Sequence, residues 1–284
     1  ATGGTSINFK NAGYDLTEDS DSIMQLKSLP KSLVIIGAGY IAIEFAFIFA
    51  NLGTKVSLVV RKNILRGFDK SLVNQIHNNL LQKNVKIYLN NQVKEINKHK
   101  NNLNVFLQKE EKIIYTERVL VAIGRKPNID SLCLENINIK LNNKGAIKVD
   151  KNLLTNIKNI YAIGDVTDRI NLTPVAIAEG HSLVDRLFAK KKHNIDLLNI
   201  GTAVFSTPPI CSIGLTETEA KKKYSRVDIY ESKFNSLKYS IVKKKVSTYI
   251  KLLVNNKNGL IIGAHMLGEE APEIIQIIGV AINA

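Results

Sequence analysis

The sequence predicts an α/β fold, and two observations carry the prediction. Residues 32–36 form a continuous apolar run ending at a glycine, as a strand buried on both faces should, and a helical-period stripe and a second apolar run follow at once. Strand, helix and strand at that spacing make a βαβ unit around a parallel sheet. From about Asn199 the period changes to two, with alternating apolar residues over 202–205, 249–254 and 260–266, which predicts further strands in a separate part. With 284 residues, 45% of them apolar, the chain is long enough for two or three units with cores of their own.

Behind the first strand Ile41, Phe45, Ile48, Phe49 and Leu52 recur at helical spacing, and Gly53 stops that helix. Residues 55–60 are the second strand. Asp69 and Ser71 are able to cap a second helix whose Leu72, Val73, Ile76 and Leu80 form its core stripe, and 85–89 is the next strand. Between 91 and 118 short strands alternate with polar turns around Asn101 and Asn102, an antiparallel insertion before the buried strand 119–123. Residues 159–165, NIYAIGD, read as a buried strand with an acid at its carboxyl end. Thr173 as N-cap with Pro174 at the first helical position predicts a helix over 175–188. A last helix starts near Ala271 and Pro272 and is still running at Ala284.

The formal charge is +14, from dispersed lysines and short runs at 190–192, 221–223 and 243–245. The runs carry no interleaved aromatics and fit no nucleic-acid motif, so they read as solvated faces and no nucleic-acid partner is expected. Such a field still attracts anionic small molecules. The longest apolar runs, such as 274–284, fall short of the roughly 20 residues of a membrane-spanning helix, and no basic-then-apolar segment opens the chain. The expectation is a cytoplasmic protein with no membrane partner. Cys133 and Cys211 are 78 positions apart, which excludes a metal knuckle or a close redox pair. Both are expected to be buried small side chains, and no metal site is expected.

The stretch VIIGAGYIAIE, 34–44, carries the chemistry. Gly37 permits the tight turn after the strand, Gly39 lets backbone approach a pyrophosphate, and Ala42 sits where helix must pack close to strand. The helix amino terminus offers its N–H groups to phosphate. NAD-selective sites place an acid at the end of the second strand to accept from the ribose hydroxyls. Here the chain reads Val59-Val60-Arg61-Lys62-Asn63-Ile64-Leu65-Arg66, with no carboxylate and two arginines suited to a 2′-phosphate. The expected cofactor is therefore NADPH.

Together with ATGG at 1–4, LRGFD at 65–69, AIGRKPN at 122–128, NIYAIGDVT at 159–167, LTPVAIAEG at 172–180 and FSTPPICSIGLTE at 205–217, the turn resembles the flavin-dependent pyridine nucleotide-disulfide oxidoreductases. LRGFD with LTPVA is most similar to their glutathione reductase branch. The resemblance runs over essentially the whole chain. It implies a Rossmann-like NADPH domain, 31–145, inserted in an FAD domain whose first half ends in 1–30 and which returns in 146–198. An incomplete α+β dimerisation domain, 199–284, implies a homodimer. On the NADPH side the resemblance implies Ala38, Ile41, Glu44, Arg61, Arg66 and Gly124, with Asn171 and Ala203 near the nicotinamide. Tyr40 matches the ring that covers the flavin until NADPH displaces it, with Glu44 in support. On the FAD side it implies Gly3, Gly4, Asp165 on the ribityl chain and Thr173 against the flavin.

The resemblance further implies NADPH-driven reduction of glutathione disulfide through an active-site disulfide, with trypanothione, dihydrolipoamide and mercuric reductases as the nearest rivals and a non-catalytic NADP-binding fragment as the alternative from another class. The CxxxxC pair of the family is absent here, and its histidine-glutamate pair lies past the position of Ala284, so an internal fragment without catalytic residues of its own is expected. His77, His99 and His193 in polar segments and His265 in a strand are expected to be structural or solvent-facing. His181 stands where many members of the branch place an arginine towards a glutathione carboxylate, and is the candidate substrate contact.

Overall fold

The computed structural model describes residues 1–9, 11–109, 112–191, 195, 197, 199–239 and 246–284. The chain divides into two compact units, one made of Ala1–Ile7 with Gly124–Leu197, the other of Asn8–Ile123 with Leu198–Ala284. In chain order the elements are β1 (Gly4–Ser6), α1 (Ser20–Ile23), β2 (Ser32–Gly37), α2 (Tyr40–Asn51), β3 (Lys55–Val60), α3 (Lys70–Gln82), β4 (Lys86–Leu89), β5 (Val93–His99), β6 (Asn102–Leu107), β7 (Ile113–Thr116), β8 (Arg118–Ala122) and β9 (Arg125–Pro127). They continue with α4 (Thr173–Phe188), β10 (Thr202–Val204), β11 (Ile210–Gly214), α5 (Glu217–Lys223), β12 (Val227–Asn235), β13 (Ser247–Asn255), β14 (Ile261–Leu267) and α6 (Ala271–Asn283).

In the larger unit the apolar runs become a parallel sheet in the order β4-β3-β2-β8. Leu33, Ile35, Leu58 and Leu120 are fully buried, because helices cover what an open antiparallel sheet would leave wet. The expected 91–118 insertion is the antiparallel sheet β5-β6-β7, whose Val105 and Ile96 pack with Val34 and Val119 of the parallel sheet. Helix α3 starts at Asp69, whose carboxylate accepts from the Ser71 amide at 3.0 Å, and it buries Leu72, Ile76 and Leu80 while Val73 packs at the margin.

The rest of that unit is the antiparallel sheet β10-β11-β14-β13-β12, backed by α6 through Ala271 and Ile275. The two parts share one core. Phe47, Leu65 and Ile76 from the βαβ region cluster with Val204, Ile210, Tyr249 and Leu267 from this second sheet.

In the smaller unit β1 pairs antiparallel with β9, Gly4 opposite Pro127, so two motif stretches far apart in sequence become neighbours. Two expectations need correction here. Residues 159–165 do not form a strand: Tyr161 makes one bridge to Leu154, Ile163 is extended, and Gly164 at φ 71 turns the chain into a short 3-10 helix, Gly164–Thr167. A left-handed glycine ends an extended run at no steric cost. The N-cap of α4 is Leu172, not Thr173: the Val175 and Ala176 amides donate to the Leu172 carbonyl, which makes Thr173 the first helical residue. Of the two cysteines only Cys211 is buried, and burial pushes its thiol up to about 11; Cys133 is exposed beside a short 3-10 turn.

Candidate functional site

The glycine turn is held by geometry that only glycine tolerates at its first position. Gly37 has φ 144, and a Cβ there would lie 2.1 Å from the Ala122 carbonyl oxygen. Gly39 has an ordinary φ of −80 and caps α2 without a side chain. A Cβ on Gly39 would meet open space within 4 Å, so the surface above the helix amino terminus is left clear for a pyrophosphate. Ala42 is fully buried where α2 meets the sheet, and Ala38 and Ile41 flank the turn half-buried. These residues fit the dinucleotide expected for them.

Arg61 leaves the end of β3, and both Arg61 and Arg66 are exposed on the loop 61–69. Leu65, buried and left-handed at φ 46, donates its amide to the Ala38 carbonyl at 2.7 Å, which lays this loop against the glycine turn. The loop closes on Asp69. That carboxylate is almost fully buried, accepts from the Ser71 and Glu217 amides, and receives the Lys251 ammonium at 3.0 Å. Burial opposes its charge, but the Glu217 amide, Lys251 and the nearby His265 together hold it below the usual carboxylate range.

Glu44 on α2 accepts the Phe205 amide at 2.9 Å, and burial raises its carboxyl above the ordinary value against that hydrogen bond. Tyr40 opens α2 and is 42% exposed. Ala203 lies in β10, opposite Cys211.

Gly3, Gly4, Gly124, Asp165, Asn171, Thr173 and His181 belong to the smaller unit. Gly3 has φ 72, and Gly4 approaches the Asp165 turn: a Cβ on Gly4 would lie 3.6 Å from that of Asp165. Glu179, nearly fully buried, accepts the Gly164 amide at 2.7 Å and pairs with Arg169, so the turn bearing Asp165 is fixed from below. Gly124 has φ 138 and its carbonyl accepts the Ile7 amide. The Asn171 side-chain amide donates to the Asp168 carboxylate, but its Oδ1 is buried without a hydrogen-bond partner, and Thr173 is exposed at the start of α4. An orphaned acceptor beside the Asp165 turn and an exposed helix start fit a bound cofactor. His181 is exposed and lines a cleft of about 590 Å³ with Pro174, Ile177 and Asp185.

Sequence reasoning passed over Lys251 and Glu217. The signal was present for Lys251: Tyr249, Lys251 and Leu253 share the buried face of β13, so a lysine stands in a core phase. His265 is completely buried, its ring nitrogens each 3.0 Å from the Ser212 hydroxyl and the Leu215 carbonyl, and burial lowers its pKa. It is structural, as expected, as far as its contacts go. His77 is half-buried and His99 exposed, while His193 lies outside the described residues. Among the described residues no group of His, Cys, Asp or Glu is set to hold a metal, and no helix is long and apolar enough to cross a membrane.

Residues 1–180 match the pyridine nucleotide-disulphide oxidoreductase family, and residues 200–284 match its dimerisation domain. A glutathione reductase of Burkholderia cepacia is 40% identical over all of this chain and 63% of its own length. A trypanothione reductase of Trypanosoma congolense is 38% identical over all of this chain and 58% of its own. Among solved structures, the HOCl-induced flavoprotein disulfide reductase RclA from Escherichia coli superposes with a TM-score of 0.91 at 31% identity, covering 100% of this chain and 66% of that one. The chain thus spans less than two thirds of the length of these two curated relatives. With a glycine turn, an arginine loop and a second sheet all where that match runs, the chain belongs to the pyridine nucleotide-disulphide oxidoreductase family.

Proposed function

We infer that the chain is the NADPH-binding and dimerisation portion, with part of the FAD-binding portion, of a flavoprotein that reduces glutathione disulfide. The functional division at 1–30, 31–145, 146–198 and 199–284 belongs to this proposal. The observation that carries it is the loop after β3: two exposed arginines, no carboxylate from Arg61 to Arg66, and a backbone hydrogen bond from Leu65 back to Ala38 of the phosphate turn. Guanidinium groups bind a 2′-phosphate through paired donors, whereas the NAD arrangement needs an acid in that place. The glutathione reductases of Burkholderia cepacia and of a Nostoc strain, 40% and 38% identical, support the substrate.

When bound, NADPH supplies hydride and FAD relays the electrons to an active-site disulfide. The residues of this chain do the holding. Gly37, Ala38, Gly39, Ile41 and Ala42 shape the pyrophosphate seat, and Arg61 and Arg66 grip the 2′-phosphate. Tyr40 is the nicotinamide gate, with Glu44 in support, and the resemblance assigns Gly124, Asn171 and Ala203 to NADPH as well. Gly3, Gly4 and Asp165 hold the FAD chain, Thr173 presents the α4 amino terminus to the flavin, and His181 meets a glutathione carboxylate. The exposed Ile277 and Val280 of α6 contribute to a homodimer contact, consistent with the dimerisation-domain match.

The test is steady-state kinetics of the full-length protein. NADPH is expected to outperform NADH at least about tenfold in kcat/KM, and Arg61→Ala to remove about tenfold of that preference, the value of a charge-assisted hydrogen bond. Equal use of the two nucleotides before mutation refutes the cofactor assignment. Faster turnover with trypanothione disulfide than with glutathione disulfide refutes the substrate.

A further inference from the structure

We propose that Lys251 is a positioning residue for nucleotide selection: acting through Asp69, it fixes the loop that presents Arg66 to the 2′-phosphate. This rests on the reading of that loop as an NADPH site. Arg61 follows β3 directly and takes its place from the sheet, but Arg66 lies midway along the loop 61–69, next to Gly67 at φ 97. Such a segment has freedom to lose, and it is tied at two points. On one side the Leu65 amide is bound to Ala38. On the other, Asp69 is clamped by a lysine 182 positions later in the chain.

The clamp is built for rigidity. Lys251 is 1% exposed, and its ammonium donates to the Asp69 carboxylate at 3.0 Å, to the Ser71 hydroxyl at 3.1 Å and to Glu217, with Glu231 at 3.6 Å. Asp69 spends its remaining acceptor capacity on the Ser71 and Glu217 amides. A lysine buried in this way is retained only where its hydrogen bonds are all made, and a network so satisfied has a single geometry. Arg66 is separated from it by two residues, so a change in where Asp69 sits moves the guanidinium directly. The pyrophosphate seat around Gly39 belongs to a different anchor and stays in place.

That separation gives the test. Binding of 2′,5′-ADP and of 5′-ADP to the full-length protein is measured by calorimetry for wild type, Lys251→Met and the double variant Lys251→Met/Asp69→Asn. The double variant removes both buried charges and keeps an asparagine to cap α3, so the test stands even where the single variant fails to fold. Loss of about tenfold in affinity for 2′,5′-ADP, with 5′-ADP changed less than about twofold, is the expected result. A parallel loss for both ligands, or no loss for either in a folded variant, overturns the proposal and leaves Lys251 a structural residue. A wild-type protein that binds the two ligands equally overturns the NADPH reading itself, before Lys251 is tested.

Discussion

Gly37 and Gly39 stand two positions apart and respond to a methyl group in opposite ways. Gly37→Ala forces φ 144 on an alanine and drives its Cβ into the Ala122 carbonyl, so the variant should lose about 3 kcal/mol or more in denaturant unfolding. Gly39→Ala meets no protein atom and keeps an allowed φ; its thermal midpoint should stay within about 2 °C of wild type while NADPH binding weakens severalfold. His265 sets a second residue-scale expectation. Burial depresses its folded pKa below the ordinary value near 6.5, so no cost exists above that pH. As pH falls further the unfolded chain takes up a proton that the folded chain refuses, and stability declines. Asp69 and Glu217, both held below the carboxylate range, contribute stability above their unfolded pKa values and lose it as pH falls through the folded ones. Thermal midpoints measured from pH 8 down to about 2 should therefore fall in two stages, and His265→Gln should flatten the upper one. Chemistry at this scale was legible where backbone alone dictates the residue, as at Gly37. At Lys251 only the core phase of β13 was legible, because its partners arrive from three other segments.

At the scale of elements the buried parallel strands were readable because a strand covered on both faces leaves a continuous apolar run, and β3 falls where that run predicts. Strand β12 was not read: its residues are half-exposed or exposed throughout, so no alternation marks it. Residues 159–165 misled for a related reason, since apolar residues packed under a single bridge resemble those of a full ladder. Helix α5 was legible in principle from Thr216 and Glu219, which form a capping box, and its exposed lysines 221–223 lie in the last turn where the helix dipole favours them. The run 190–192 extends beyond the described residues, and 243–245 lies wholly outside them. Helix α2 offers the sharpest packing test. Phe47 is 1% exposed, and Phe47→Ala should cost about 3–5 kcal/mol in denaturant unfolding, with a value under about 1 kcal/mol contradicting the packing described.

For the molecule as a whole, the sheet that carries the nucleotide turn and the sheet of β10 to β14 are one cooperative body, because Phe47 and Ile76 share their core with Val204, Tyr249 and Leu267. Helix α6 turns Ala271 and Ile275 inward and leaves Ile277 69% and Val280 65% exposed. Replacing both exposed residues by aspartate in the full-length protein should shift sedimentation from dimer toward monomer, and an unchanged dimer would count against α6 as the contact. The shared core and the pairing of Asp69 with Lys251 also bear on how the protein is made. A ribosome delivers the glycine turn and both arginines long before β13, β14 and the lysine they carry. Until then the nucleotide sheet lacks part of its apolar cover and its arginine loop lacks its far anchor. Newborn chains should therefore acquire discrimination between the two nucleotides late, only after the residues around 251 have cleared the exit tunnel.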